Sequence, residues 1–168
     1  MPALFVTIWV ALLLFVAGET GRSFAHRGSR PPWWAWWAFT LGLLLALVHT
    51  VLAFDIVHNW IHDDAVLSTA QQTEAMFGVS VGWGVYVNYV FFAVWLADSV
   101  WWRASPDVHR RPAGVMWALR VFYLIIIVNA AVIFAVGWRR IVGILIVSWL
   151  VRVWTLRRNS GLSSRHRR

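Results

Sequence analysis

Residues 49–103 read HTVLAFDIVHNWIHDDAVLSTAQQTEAMFGVSVGWGVYVNYVFFAVWLADSVWWR. An apolar segment runs into a patch of His, Asp, Gln and Glu and then returns to an apolar segment. Leu, Val and Phe are at home in hydrocarbon, whereas ionisable groups beside them are costly. This patch is therefore where the sequence departs most from simple lipid burial.

The rest of the chain has the same character. It is 60% hydrophobic and 13% charged, against about 25% charged in a soluble domain, and its mean hydropathy is +0.64. The apolar residues fall into five blocks, at 2–17, 33–57, 75–102, 113–136 and 141–156. A membrane-spanning helix needs roughly 17–25 residues, so the first and last blocks are short. The expected fold is all-α: a polytopic transmembrane helix bundle of about five spans, with a long helical hairpin projecting on the outer side. Residues 1–156 form a single transmembrane helical domain. Residues 157–168 form an Arg-rich cytoplasmic tail, without fixed structure, that meets lipid headgroups.

There is no cysteine, which excludes disulfides, thiolate metal sites and a cysteine nucleophile. Every basic side chain other than His is Arg, so a Schiff-base lysine is excluded. The pI near 11.6 does not make this a nucleic-acid-binding chain, because the Arg residues flank apolar blocks and serve as topology determinants. Arg22, Arg27 and Arg30 follow the first block. Arg103, Arg110 and Arg111 follow the third, and Arg157, Arg158, Arg165, Arg167 and Arg168 end the chain. Five spans place all three groups on one side, the cytoplasmic one, and the N-terminus outside. The first block is expected to be a retained anchor, since its charges follow the apolar run instead of preceding it. Arg139 and Arg140 are the exception on the outer side. Trp33, Trp34, Trp36, Trp37, Trp101 and Trp102 gather at the inner interface. The expected location is a bacterial plasma (inner) membrane.

Between Leu43 and Phe77 there is neither Gly nor Pro. The second helix is therefore expected to continue to about Asp63, with a turn at 64–66. Ser68 followed by Gln71 suggests a capping box, so the third helix is expected to run from near Thr69 to Arg103. On these helices His58 and His62 form an i, i+4 pair, and Gln71, Glu74, Gly78 and Gly82 share a face. If the small-residue face Gly78-x3-Gly82 packs on the second helix, Glu74 lies opposite His58 and Gln71 opposite His62. His58, His62 and Glu74 are thus the candidate metal ligands, with Gln71 and Asp55 as supporting groups. Two His and a carboxylate suit Zn²⁺ or Fe²⁺. The competing expectation is a hydrogen-bonded polar cap at the lipid interface.

Deeper polar residues invite pairing. His49 is expected to hydrogen-bond across helices, with Asn88 and Asn129 as neighbours at mid-bilayer. Bis-His haem is not expected, since no second His lies at the depth of His49. Asp98 is expected to pair with Arg120, and Arg139 and Arg140 with Asp63, Asp64 or Glu74. No nucleophile elbow, phosphate loop or H-E-x-x-H motif is present, so no catalytic residue can be named and enzyme activity is left open. Two functions follow. The first is an accessory or scaffold membrane protein with a polar outer cap, whose partners are lipid and another membrane protein or a second copy. The alternative is a metal-dependent membrane protein or enzyme using His58, His62 and Glu74.

Overall fold

The computed structural model describes residues 2–25, 30–107 and 111–160. Among these the chain is all-helical: α1 (Pro2–Phe24), α2 (Trp33–Ile56), α3 (His62–Phe77), α4 (Gly84–Ala104), α5 (Ala113–Val128), a π-helical turn over Asn129–Ile133, and α6 (Trp138–Ser160). Three segments, Ala3–Phe24, Trp33–Ile56 and Ala113–Ile133, are long and apolar enough to cross a membrane. Helices α4 and α6 reach 21 and 23 residues. Both are less apolar, because α4 carries Asp98 and Arg103 and α6 carries five Arg.

Pro32 and Pro112 precede the first turns of α2 and α5, where a missing N–H leaves no helical bond unmade. Gly137, at φ +65°, makes the turn before α6. The long helices alternate in direction. His49 of α2 meets Leu4 of α1, whereas Ala35 of α2 meets Gly21, so α1 and α2 are antiparallel. Trp36 and Thr40 reach Ser99 of α4, and Tyr123 of α5 reaches Asp98. Trp138, Trp149 and Trp154 of α6 meet Trp9, Thr20 and Glu19, so α6 runs parallel to α1. Phe15, Phe39, Leu43, Trp95, Tyr123 and Leu150 form the centre of the core.

The closest helix pair is α1–α2. A side chain at Gly18 would strike Phe39, one at Gly21 would strike Ala35, and one at Gly42 would strike the backbone of α1. Small residues let these backbones approach, which is how helices associate where no hydrophobic force separates protein from lipid. Close packing was expected instead between the second and third predicted helices through Gly78 and Gly82. Gly78 actually ends α3 at φ +70°, and Gly82 packs against Val66 of α3.

Helix α2 ends at Ile56, not near Asp63. The chain reverses through Asn59 (φ +47°) and Trp60 (φ +61°). The reversal is held by Trp60 N donating to Phe54 O at 3.0 Å, and by the Trp60 indole donating to Asp55 at 2.9 Å. Asn tolerates the left-handed conformation, but a bulky residue there is unusual and is held by its surroundings. The expected continuous helix from Thr69 to Arg103 is likewise two helices, broken at 78–83. Ser68 is an interior residue of α3, not a cap. The break is stitched by Thr73, whose hydroxyl donates to Val81 O at 3.1 Å and accepts from Val81 N at 2.9 Å. Helix α6 continues to Ser160, past the residue 156 expected as its end. The rest of the expected tail, 161–168, lies outside the described residues.

Candidate functional site

The residues expected to gather at the outer end are dispersed along the chain reversal and α3. His58 lies in the turn after α2, His62 is the first residue of α3, and Glu74 stands twelve residues further along that helix. Twelve residues of helix separate His62 from Glu74 by about 18 Å, and Glu74 is exposed. The structure therefore brings the two His residues together without the carboxylate. Both pack on Phe54, with ring centroids 5.7 Å away for His58 and 6.4 Å away for His62. The His62 ring nitrogens lie 3.3 Å from the hydroxyls of Tyr86 and Tyr89. Asp55 is engaged by the Trp60 indole, and Gln71 is exposed. Among the described residues, no three His, Asp or Glu are grouped so as to hold a metal ion.

Asp63, Asp64, Gln71 and Glu74 instead share the exposed face of α3. Its other face turns Val66, Thr69, Ala70 and Thr73 toward the break and the start of α4. The cations expected to answer these acids are used elsewhere. Arg140 donates to the backbone carbonyls of Ala135 and Ile133. Those carbonyls lie at and just beyond the end of the π turn, where a cation suits the negative end of the helix. The Arg139 guanidinium stacks on Phe5 at 4.5 Å.

A second polar group lies at the opposite end and is buried. Glu19 and Arg22 of α1, Asp98 of α4 and Arg111 before α5 are each 5% exposed or less. Arg22 Nη1 donates to both carboxylate oxygens of Asp98, at 3.0 and 2.9 Å. Its Nη2 pairs with Glu19 Oε1. Arg111 Nη1 donates to Asp98 Oδ1, and the Tyr123 hydroxyl donates to Oδ2 at 3.1 Å. The Trp154 indole of α6 donates to Glu19 at 2.9 Å. Two carboxylates thus balance two guanidiniums, a necessary condition for burying charge cheaply. Aromatic rings cover the cations: Trp102 lies 4.9 Å from Arg22 Cζ, and Trp101 lies 4.3 Å from Arg111 Cζ. Burial lowers the pKa of the Arg111 guanidinium from its ordinary value, while the hydrogen bond and charge of Asp98 act in the opposite sense.

The cations that meet Asp98 are therefore Arg22 and Arg111, where Arg120 was expected. The Arg120 guanidinium stands over Trp117 and Trp154. The sequence does carry a signal for this group. Glu19 and Arg22 are three residues apart and so share a helix face, but ending the first helix at Ala17 assigns them to a loop.

A third polar feature lies at the level of His49. Its Nδ1 is 2.9 Å from Leu4 O and 3.3 Å from Thr7 Oγ1, which is the expected interhelical role with α1 as the partner. Neither Asn88 nor Asn129 is hydrogen-bonded to His49 among the described residues; both are exposed. His49 borders a crevice of about 240 Å³ between α1, α2, α4 and the π turn.

Scanned against family models, curated proteins and solved structures, the chain matches none. The class defined by the fold is a helical bundle with three helices able to cross a membrane.

Proposed function

We propose that the protein is an accessory integral membrane protein that presents the acidic face of α3 to a partner protein of basic character. The chain crosses a bacterial plasma membrane five times, with its N-terminus outside and its C-terminus in the cytoplasm. The observation that carries this reading is the disposition of polar groups. The buried charges at the Arg-rich end neutralise each other, whereas Asp63, Asp64 and Glu74 are exposed on one face of an external helix. Groups that are mutually neutralised hold helices together, while unneutralised, solvent-facing carboxylates attract and orient an opposite surface. Alternation of the five long helices supports five crossings, with α4 and α6 shielded through their contacts with α1 and α2. A second copy is a poor occupant for this face, since two acidic faces repel.

The absence of cysteine makes the test direct. Ser68→Cys should react with an impermeant maleimide in intact cells, and Ser160→Cys only after permeabilisation. A photo-crosslinker attached at position 68 should then give one discrete adduct with a second membrane protein. That adduct should be lost in the Asp63→Asn, Asp64→Asn, Glu74→Gln triple variant at unchanged thermal stability. Labelling of both sites from one side would refute the five-span topology, and labelling of Ser160→Cys alone in intact cells would reverse its orientation. An adduct indifferent to the triple variant, or no adduct at all, would overturn the recognition role.

A further inference from the structure

The Arg-rich end holds exposed cations beside the buried, neutralised ones, and they play no part in the acidic face of α3. Arg30, before α2, and Arg103, in the last turn of α4, border one crevice of about 310 Å³. That volume lies within the range of small-molecule sites, roughly 300–1,000 Å³. Both residues are exposed, and among the described residues neither is paired with a carboxylate. No described carboxylate lines the crevice either. Asp107, just beyond Pro106 of its rim, is engaged elsewhere.

The rest of the described wall is Pro31, Pro32, Pro106 and four tryptophans. Trp102 is buried, with Arg22 stacked on it at 4.9 Å. Trp36 donates its indole N–H to Ser99 O, and Arg103 Cζ stands 5.9 Å from its ring. Trp33 and Trp37 are exposed. No side chain in this wall can accept a hydrogen bond, so none of them satisfies the two guanidiniums. The start of α2 adds to the positive field. It has no acid in its first turn and no side-chain cap, so the positive end of a 24-residue helix is left without a counter-charge.

Depth identifies the occupant. Trp33 begins a segment apolar enough to cross a membrane, and indole rings favour the headgroup level. Toward the membrane interior, exposed apolar stripes continue on both helices. Leu41 and Leu44 lie one and two turns beyond Trp37, and Val100 and Leu96 lie one and two turns before Arg103. The two helices pack side by side here, Trp36 and Thr40 against Ser99. We infer that this crevice binds the headgroup of an anionic phospholipid, with its phosphodiester between Arg30 and Arg103 and its acyl chains along the stripes of α2 and α4. A zwitterionic lipid brings a cation as well, for which the crevice supplies no carboxylate. A soluble phosphodiester would meet the guanidiniums and leave the stripes unused. The neighbouring crevice along Thr20, Phe24 and Trp34 shares Arg30 but has no second described cation.

The net charge of +8 favours any anionic lipid, so the decisive observation is dependence on position. Native mass spectrometry of the full chain in nonionic detergent micelles counts bound lipid as dioleoylphosphatidylglycerol or dioleoylphosphatidylcholine is added. One phosphatidylglycerol should bind saturably and more tightly than phosphatidylcholine, by about thirtyfold. Arg30→Gln and Arg103→Gln should each weaken it about fivefold, and the double variant about thirtyfold, as expected for one and two arginines at an anionic surface. Phosphatidylcholine binding should not change. Arg152→Gln removes an exposed cation of α6 outside the crevice and should alter neither lipid. Equal affinity for the two lipids overturns the proposal. So does full retention of phosphatidylglycerol by the double variant, or an equally large loss in Arg152→Gln. Displacement of the lipid by an equal concentration of chainless glycerophosphoglycerol also overturns it, and would make the crevice a site for soluble phosphate. If Arg103→Gln fails to fold, Arg30→Gln against Arg152→Gln still decides the matter, because Arg30 is an exposed residue ahead of α2.

Discussion

Replacing Asp98 by Asn should be among the most destabilising near-isosteric changes in this protein. Asp98 is 2% exposed and accepts from Arg22 at both oxygens, from Arg111 at Oδ1 and from Tyr123 at Oδ2. Asn preserves the shape but supplies one acceptor oxygen and turns an NH₂ group toward donors on the other side. It also converts a neutral group of four charges into one with an unmatched guanidinium. Breaking a buried ion pair from one side costs about 3–5 kcal/mol, whereas an exposed pair is worth about 0–1 kcal/mol. The two regimes are far enough apart to separate. Unfolding from dodecyl maltoside micelles by increasing dodecyl sulfate, followed by circular dichroism, should show a loss of about 3–5 kcal/mol for Asp98→Asn.

Adding Arg111→Gln removes the unmatched cation and leaves Glu19 paired with Arg22. The double variant should therefore lose less than the sum of the single changes, by at least about 1 kcal/mol. A loss below about 1 kcal/mol for Asp98→Asn, or strictly additive losses, would refute the claim that these groups act as one buried unit.

Two glycine substitutions test the packing. Gly143→Leu should disrupt the contact of α6 with the π turn and cost several kcal/mol in the same assay, because any Cβ there runs into the Ala131 backbone; an unchanged transition would mean that α6 packs differently. Gly82→Leu meets Val66, so it should loosen α3 from α4 and raise amide exchange within 62–77 while leaving global unfolding nearly unchanged. Equal loss of global stability would mean that α3 is part of the cooperative core.

The membrane-type helices could be read from the sequence because hydrocarbon burial is a summed property. Blocks of apolar residues reveal it without knowledge of what each one touches. Pro32, Pro112 and Gly137 were legible for a similar reason, since their backbone preferences act locally. The reversal at Asn59–Trp60 escaped. Its left-handed backbone is imposed on a Trp by contacts with Phe54 and Asp55, and only Asn59 hinted at it.

The same division explains the site. Helical spacing correctly relates residues only while the predicted helices hold, so ending α2 at Ile56 and starting α3 at His62 put His62 and Glu74 on one helix, twelve residues apart, and not on facing helices. His49 could be expected to seek an interhelical partner, because a polar group in an apolar segment needs one. Which helix supplied that partner depended on the packing of α1 against α2. The sequence alone determined how much charge had to be reconciled with an apolar interior. Only the tertiary structure decided that Asp98 meets Arg22 and Arg111, because the partner of a buried ion is set by which helix ends converge in space and not by distance along the chain.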